Sequence, residues 1–259
     1  MKPTQKLFIL AIQNLSLFKK MNKIKALLFL ILLTSCQVTE TITMNPDGSG
    51  NIELYHIRDE NSIDQLGRPA NAKQEKFRDT MFVFQDYIKM YHETFVKLSK
   101  SDQDILLKHA NVKMRIKVDP IQREHFYVTS FDFNKVEEIP DIVESFSLSN
   151  SLKENHKLIN QFFKIKYVFD GSTFKRNVII VDERKYDKLK EEYQNRTRAF
   201  NNPKLAQSYT LQYSFPRKIK WISNSNAIIS PDKKKLKLEF KLVNCFKNPE
   251  DMNLEVVLE

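Results

Sequence analysis

Few residues in this chain have the types and spacing that chemistry needs. His92-Glu93-Thr94-Phe95-Val96 begins like the His-Glu-x-x-His zinc motif. Val96 stands where the second imidazole must be, one helical turn from the first, so the pair is incomplete. The other histidines, His56, His109, His125 and His156, have no ligand spacing. Carboxylates adjoin at Glu137-Glu138, Asp182-Glu183 and Glu191-Glu192. Adjacent positions on a helix diverge, so these fit solvated faces and helix starts better than a general acid and base. Asn45-Pro46-Asp47-Gly48-Ser49 lacks the spaced oxygens and distal Glu of a calcium loop and reads as a hairpin turn. There is no Gly-x-Ser-x-Gly, and four glycines in 259 residues leave little for a phosphate loop. The sequence therefore predicts a protein without catalytic residues, metal or cofactor. Two cysteines, Cys36 and Cys245, are too few for a disulfide scaffold.

Cys36 is where the sequence carries chemistry. All six charges in residues 1–35 are lysines, at 2, 6, 19, 20, 23 and 25. The apolar run Ala26–Leu33 follows, then Thr34-Ser35-Cys36. A basic stretch, a short apolar core and small residues make a secretory signal peptide. Eight helical residues rise ~12 Å against a ~30 Å hydrocarbon core, so the run is too short to span a bilayer. Met21-Asn-Lys-Ile-Lys is the compact start, and residues 1–20 read as an upstream extension. Leu33-Thr34-Ser35-Cys36 resembles the bacterial lipobox. That resemblance implies a diacylglycerol on the Cys36 thiol, cleavage before Cys36, and usually a third acyl chain. Two or more chains suffice for stable anchoring. The alternative is an ordinary signal peptide followed by a buried cysteine.

Only Gln37 and Val38 separate Cys36 from the first alternating strand, a reach of ~10 Å. The domain is expected to lie against the headgroups. By resemblance to Gram-negative lipoproteins, the absence of Asp at position 37 favours the outer membrane, with the domain facing the periplasm. Without residues 1–35 the chain keeps 36 basic and 32 acidic residues, a net of +4 over 224 residues. That balance is no nucleic-acid signature.

Periodicity then lays out the elements that would position any site. Ile42 and Met44, a turn at 45–50, then Ile52 and Leu54 form a β-hairpin. Residues 59–71 read as a loop. Phe77, Met81, Phe84, Ile88, Tyr91, Phe95 and Leu98 recur at steps of four and three, predicting one long helix over 72–99. Such a stripe either packs on a sheet or binds a partner. Val112, Met114, Ile116 and Val118 alternate with Lys113, Arg115 and Lys117, a strand with one buried and one basic face. His125–Phe133 returns as a strand after Asp119-Pro120. Asn134-Lys-Val-Glu137 has capping-box spacing and should open a short helix along Val136, Ile139, Val143 and Phe146. Residues 147–161 read as polar.

Strands at 163–169 and 174–181 flank the turn Asp170-Gly171. Asp182 should cap a helix toward Phe200, stopped by Asn201-Asn202-Pro203. Alternation at 209–215, 218–222, 236–242 and 254–258 predicts closing strands. Lys233-Lys234-Lys235 reads as a solvated strand start and Cys245 as a small buried hydrophobe. The expected fold is α+β: a largely antiparallel sheet of hairpins with one long and two shorter amphipathic helices packed on it. A signal peptide over 1–35 precedes one extracytoplasmic domain over 36–259, whose most natural cut lies near Pro203.

Cys36 through Gly50, Phe77-Arg-Asp-Thr80 and Phe131-Asp-Phe133 resemble a family of lipoproteins frequent in Bacteroidota. Tyr209-Thr-Leu-Gln-Tyr-Ser-Phe-Pro216 through Leu238-Glu-Phe240 is similar to the closing strands of LppM-like domains. These likenesses imply an envelope lipoprotein and bring no activity. The expected function is non-catalytic. Such a protein would be held on the membrane by its diacylglyceryl-cysteine and would bind a lipid or other amphiphile there, or scaffold an envelope protein complex.

Overall fold

The computed structural model describes residues 36–58, 75–154, 163–188, 190–191 and 208–259. Two sheets make the α+β fold. Strands β1 (Cys36–Met44) and β2 (Gly50–Arg58) form the first hairpin, with Ile42 opposite Ile52. The hairpin turn is set by Asp47, whose carboxylate accepts from the Ser49 amide and hydroxyl, and by Gly48 at φ +86°. Strands β3 (Arg78–Val83), β4 (Lys113–Asp119) and β5 (Glu124–Phe133) extend this sheet antiparallel beyond β2. On its other side β8 (Ser208–Ser214) runs parallel to β1, followed by β11 (Lys235–Lys241) and the two-residue β10 (Ile228–Ile229). The second sheet has the order β6 (Phe163–Phe169), β7 (Thr173–Ile180), β12 (Leu254–Leu258), β9 (Ile219–Ile222). Segment 208–259 thus supplies strands to both sheets.

Alternation fixes which face is inward. Val38, Ile42 and Met44 of β1, Ile52 and Leu54 of β2, and Leu211 and Tyr213 of β8 are buried, as are Ile165, Phe174 and Val178 of the second sheet. Phe174 packs edge-on to Tyr213 and Phe215 at centroid distances of 5.4 and 5.5 Å. The sheets therefore meet over β1 and β8. Over β4 and β5 the cover is helical: Phe146 meets Tyr127 edge-on at 5.2 Å.

The 72–99 helix is corrected. Residues 78–83 are an edge strand paired with β4, Arg78 opposite Val118 and Phe82 opposite Met114. Helix α1 (Phe84–Met90) and the single turn α2 (His92–Phe95) follow, and α3 (Lys100–Lys108) begins at the Ser99 cap. The helical period holds from Phe84 and Ile88, which are buried, while Phe77 and Met81 are exposed. Before Phe84 a ladder to β4 satisfies the backbone, and Asp79 takes Arg115 in a bidentate pair across the strands. Tertiary pairing overrides the stripe there.

The helix opened by Asn134 is also corrected. Residues Val136–Glu138 and Ile142–Glu144 are 3-10 turns, and α4 spans Ser145–Lys153, into the stretch read as polar. Pro140 is the cause: it holds Ile139 extended, at φ −61° and ψ 116°. The Asn134 amide donates to Glu138, while Glu137 accepts from the Phe169 amide.

Asp182 caps a helical segment at 183–188 by accepting from the Lys185 amide. Its predicted continuation to Phe200 and the stop at 201–203 lie outside the described residues, apart from helical residues 190–191. So do the loop at 59–71, His156 and residues 1–35. The closing alternation ends at Lys241, where α5 (Leu242–Lys247) begins. Cys245 is buried on that helix, and burial pushes its thiol up to about 11.

Candidate functional site

Cys36 is the first residue of β1 and pairs with Arg58 at the end of β2. Register carries that level across the sheet. Ile57 faces Phe126, so Arg58 and His125 come next; His125 faces Val118, and Val118 faces Arg78. The row Cys36, Arg58, His125, Val118, Arg78 marks one end of the sheet. Two steps further in lies the row Val38, His56, Tyr127, Ile116, Thr80.

At this end the inward face turns polar. Arg58 forks onto Glu75, donating from Nη1 to Oε1 at 2.9 Å and from Nη2 to Oε2 at 2.6 Å. Glu75 Oε2 lies 3.7 Å from His125 Nδ1. His125 Nε2 and the Tyr127 hydroxyl share a hydrogen bond of 2.6 Å. Arg58, Glu75, His125 and Tyr127 thus form a chain of polar contacts. Beside it, the His56 Nδ1 atom is buried with no hydrogen-bond partner in the described structure. Burial pushes the His56 imidazole down to about 4, so it is neutral at pH 7. Further in, the same face of β2, β4 and β5 buries Leu54, Met114, Ile52 and Phe131, with Thr129 between them.

A second polar cluster joins the sheets. Glu40, on the inward face of β1, and Arg176, on that of β7, are 1% and 0% exposed. Arg176 donates from Nε to Glu40 Oε1 at 3.1 Å and from Nη2 to Oε2 at 2.9 Å. Hydroxyls of Tyr167 and Tyr213 donate to Oε1, and that of Tyr209 to Oε2. Arg176 Nη1 reaches the Met252 carbonyl at 3.1 Å. Burial pushes the Glu40 carboxyl up, but Arg176 and the tyrosine hydroxyls outweigh it and hold it below the usual carboxylate range. The three phenols are held well above theirs by burial and by the Glu40 charge. Each carboxylate oxygen is saturated with donors, so the cluster is a clamp between sheets rather than a reactive site.

Sequence reasoning missed the clamp, though its signal was present. Glu40 interrupts the apolar alternation Val38, Ile42, Met44, and Arg176 interrupts Phe174, Val178. Opposite charges on two otherwise apolar faces are the mark of a buried pair.

The basic face of β4 is present and neutralised. Lys113 pairs with Asp132 at 2.6 Å, Arg115 with Asp79 at 2.8 Å, and Lys117 with Glu124. His92 lies exposed on α2. Among the described residues, no three His, Cys, Asp or Glu side chains gather as metal ligands, and no helix is long and apolar enough to cross a membrane.

No family model matches the chain, and no curated protein does. Among solved structures the chain is similar to the LppM folded domain of Mycobacterium tuberculosis, solved by NMR. Identity is 9% and the TM-score 0.33, over 87% of this chain and 90% of that one. At that score the likeness is too low for a functional argument. The resemblance to lipoproteins of Bacteroidota has no counterpart in these comparisons.

Proposed function

We propose that this is a lipid-anchored protein of the bacterial envelope, non-catalytic, that binds a lipid or other amphiphile beside the membrane. The observation that carries this reading is the position of Cys36. It closes a signal-peptide pattern and opens a strand of the main sheet, with no tether between. A diacylated N-terminus at that point holds the polar end of the sheet at headgroup level. Arg58, His125 and Tyr127 at that end, with apolar residues further in, match an amphiphile's own division into headgroup and chain. The outer membrane, domain facing the periplasm, is the location this reading favours.

Two measurements test it. Intact mass of the protein purified from membranes should show a chain starting at Cys36 and carrying acyl groups; an unmodified Cys36 sinks the anchor. Native mass spectrometry after exposure to an envelope lipid extract should then show a discrete bound lipid. A bare, folded protein would shift the reading to a scaffold. That second reading is favoured by the exposed edges: Ile228 on β10 is 69% exposed and Trp221 on β9 is 51% exposed.

A further inference from the structure

We infer that the β4–β5 hairpin tip and the start of β3 form a second membrane contact, a protein-borne foot that enters the headgroup region of an anionic bilayer beside the acylated Cys36. The inference rests on the reading of Cys36 as the lipid-bearing residue.

Register supplies the level. Val118 shares the Cys36 row, so Asp119, the turn 120–123 and Glu124 lie beyond it, as does Phe77 just before Arg78. The tip stands three strands from β1, or ~15 Å along the sheet. A headgroup plane that holds Cys36 therefore meets the tip as well.

The side chains there are those an interface selects. Ile121 is 93% exposed and Phe77 66% exposed. Ile121 sits on a turn already fixed, because Asp119 Oδ1 accepts from the Ile121 and Gln122 amides at 3.0 and 2.9 Å. An apolar group on a prefixed turn inserts with little ordering cost. Lys76 and Arg78 flank Phe77 and are exposed, and Arg123 follows the tip. Neighbouring acids are engaged within the protein: Glu75 by Arg58, Asp79 by Arg115, Glu124 by Lys117. With these pairs neutral, Lys76, Arg78 and Arg123 stand against Asp119, a net of +2 beside exposed apolar groups that suits anionic phospholipid headgroups.

The test uses the full chain, expressed and processed in cells, with Trp221→Phe and Ile121→Trp so that the tip carries the fluorophore. The protein is reconstituted into vesicles of phosphatidylethanolamine and phosphatidylglycerol, with or without lipids brominated high on the acyl chain. Its acylation is read by intact mass. A blue-shifted emission quenched by the brominated lipid is expected. An acylated protein whose tip emission stays water-like and unquenched overturns the foot and leaves the anchor standing. If the chain proves unacylated, the anchor reading falls. The foot beside an acylated Cys36 then falls with it.

Discussion

Arg176 and Glu40 are buried together, and each makes the other tolerable. Removing one leaves an uncompensated charge between two sheets, so Arg176→Met or Glu40→Leu alone should cost about 3–5 kcal/mol in chemical denaturation. The double replacement should recover only part of that loss, because the buried Tyr167, Tyr209 and Tyr213 hydroxyls then lose their acceptor. Other buried groups shape the pH response, His56 and His109 on its acid side and Glu144 on its alkaline side. Burial lowers the His56 imidazole to about 4, so between that value and its ordinary 6.5 the unfolded chain binds a proton that the folded chain refuses. This contribution is complete above pH 6.5 and is lost as the pH falls toward 4, by up to about 3 kcal/mol. Glu144 acts with the opposite sign. Burial, then the Asp141 charge, pushes its carboxyl up to about 8, so the folded chain keeps a proton that the unfolded chain gives up above 4.5. Its contribution is complete below 4.5 and is lost as the pH rises to 8. Urea midpoints measured across this range should show a shallower acid limb in His56→Leu, where His109 still contributes, and a shallower alkaline limb in Glu144→Gln.

Hairpins are the elements whose local chemistry decides most. Gly171 adopts φ +95° in a turn where Asp170 accepts from the Ser172 and Thr173 amides. No atom lies within 4 Å of a Cβ placed there, so Gly171→Ala should cost only the conformational penalty of about 1 kcal/mol. Gly50 differs. A Cβ there would sit 2.1 Å from the Thr43 carbonyl oxygen and 2.7 Å from a Phe133 ring carbon. Gly50→Ala should therefore cost about 2–3 kcal/mol, by strain in the β1–β2 pair rather than by loss of freedom. Denaturant midpoints of the two variants separate these causes. The 78–98 region shows the limit of periodicity. Steps of four and three over Phe77, Met81 and Phe84 fit a helix, yet Thr80 and Phe82 also alternate as a strand. The ladder offered by β4 settles that ambiguity, and it is supplied by residues some thirty positions away.

At the scale of the molecule, the closing segment holds both sheets together. Strand β8 lies between β11 and β1, and β12 lies between β7 and β9. A chain ending before residue 208 should lose cooperative unfolding in both sheets, read by circular dichroism in denaturant; an intact transition would mean that the first part folds alone. The clamp has the same reach, because Glu40 comes from β1, Arg176 and Tyr167 from the second sheet, and Tyr209 and Tyr213 from β8. The proposed anchor also belongs to this scale. Cys36→Ala should move the protein from the detergent phase to the aqueous phase on phase partition, if Cys36 alone carries the acyl chains.

Local patterning was enough for the α+β class, most of the strands and the hairpin turns at 45–50, Asp119-Pro120 and Asp170-Gly171. Period-two alternation and side-chain-capped turns are local, and a few neighbouring residues suffice to specify them. Nothing local told that residues 78–83 are a strand, that Pro140 delays the helix after Asn134, or that β8 lies parallel to β1. Nor did any local pattern bring Glu40 and Arg176 together. Those outcomes depend on which backbone and which opposite charge become neighbours, for the clamp across more than a hundred residues, and only packing one sheet on the other decides that.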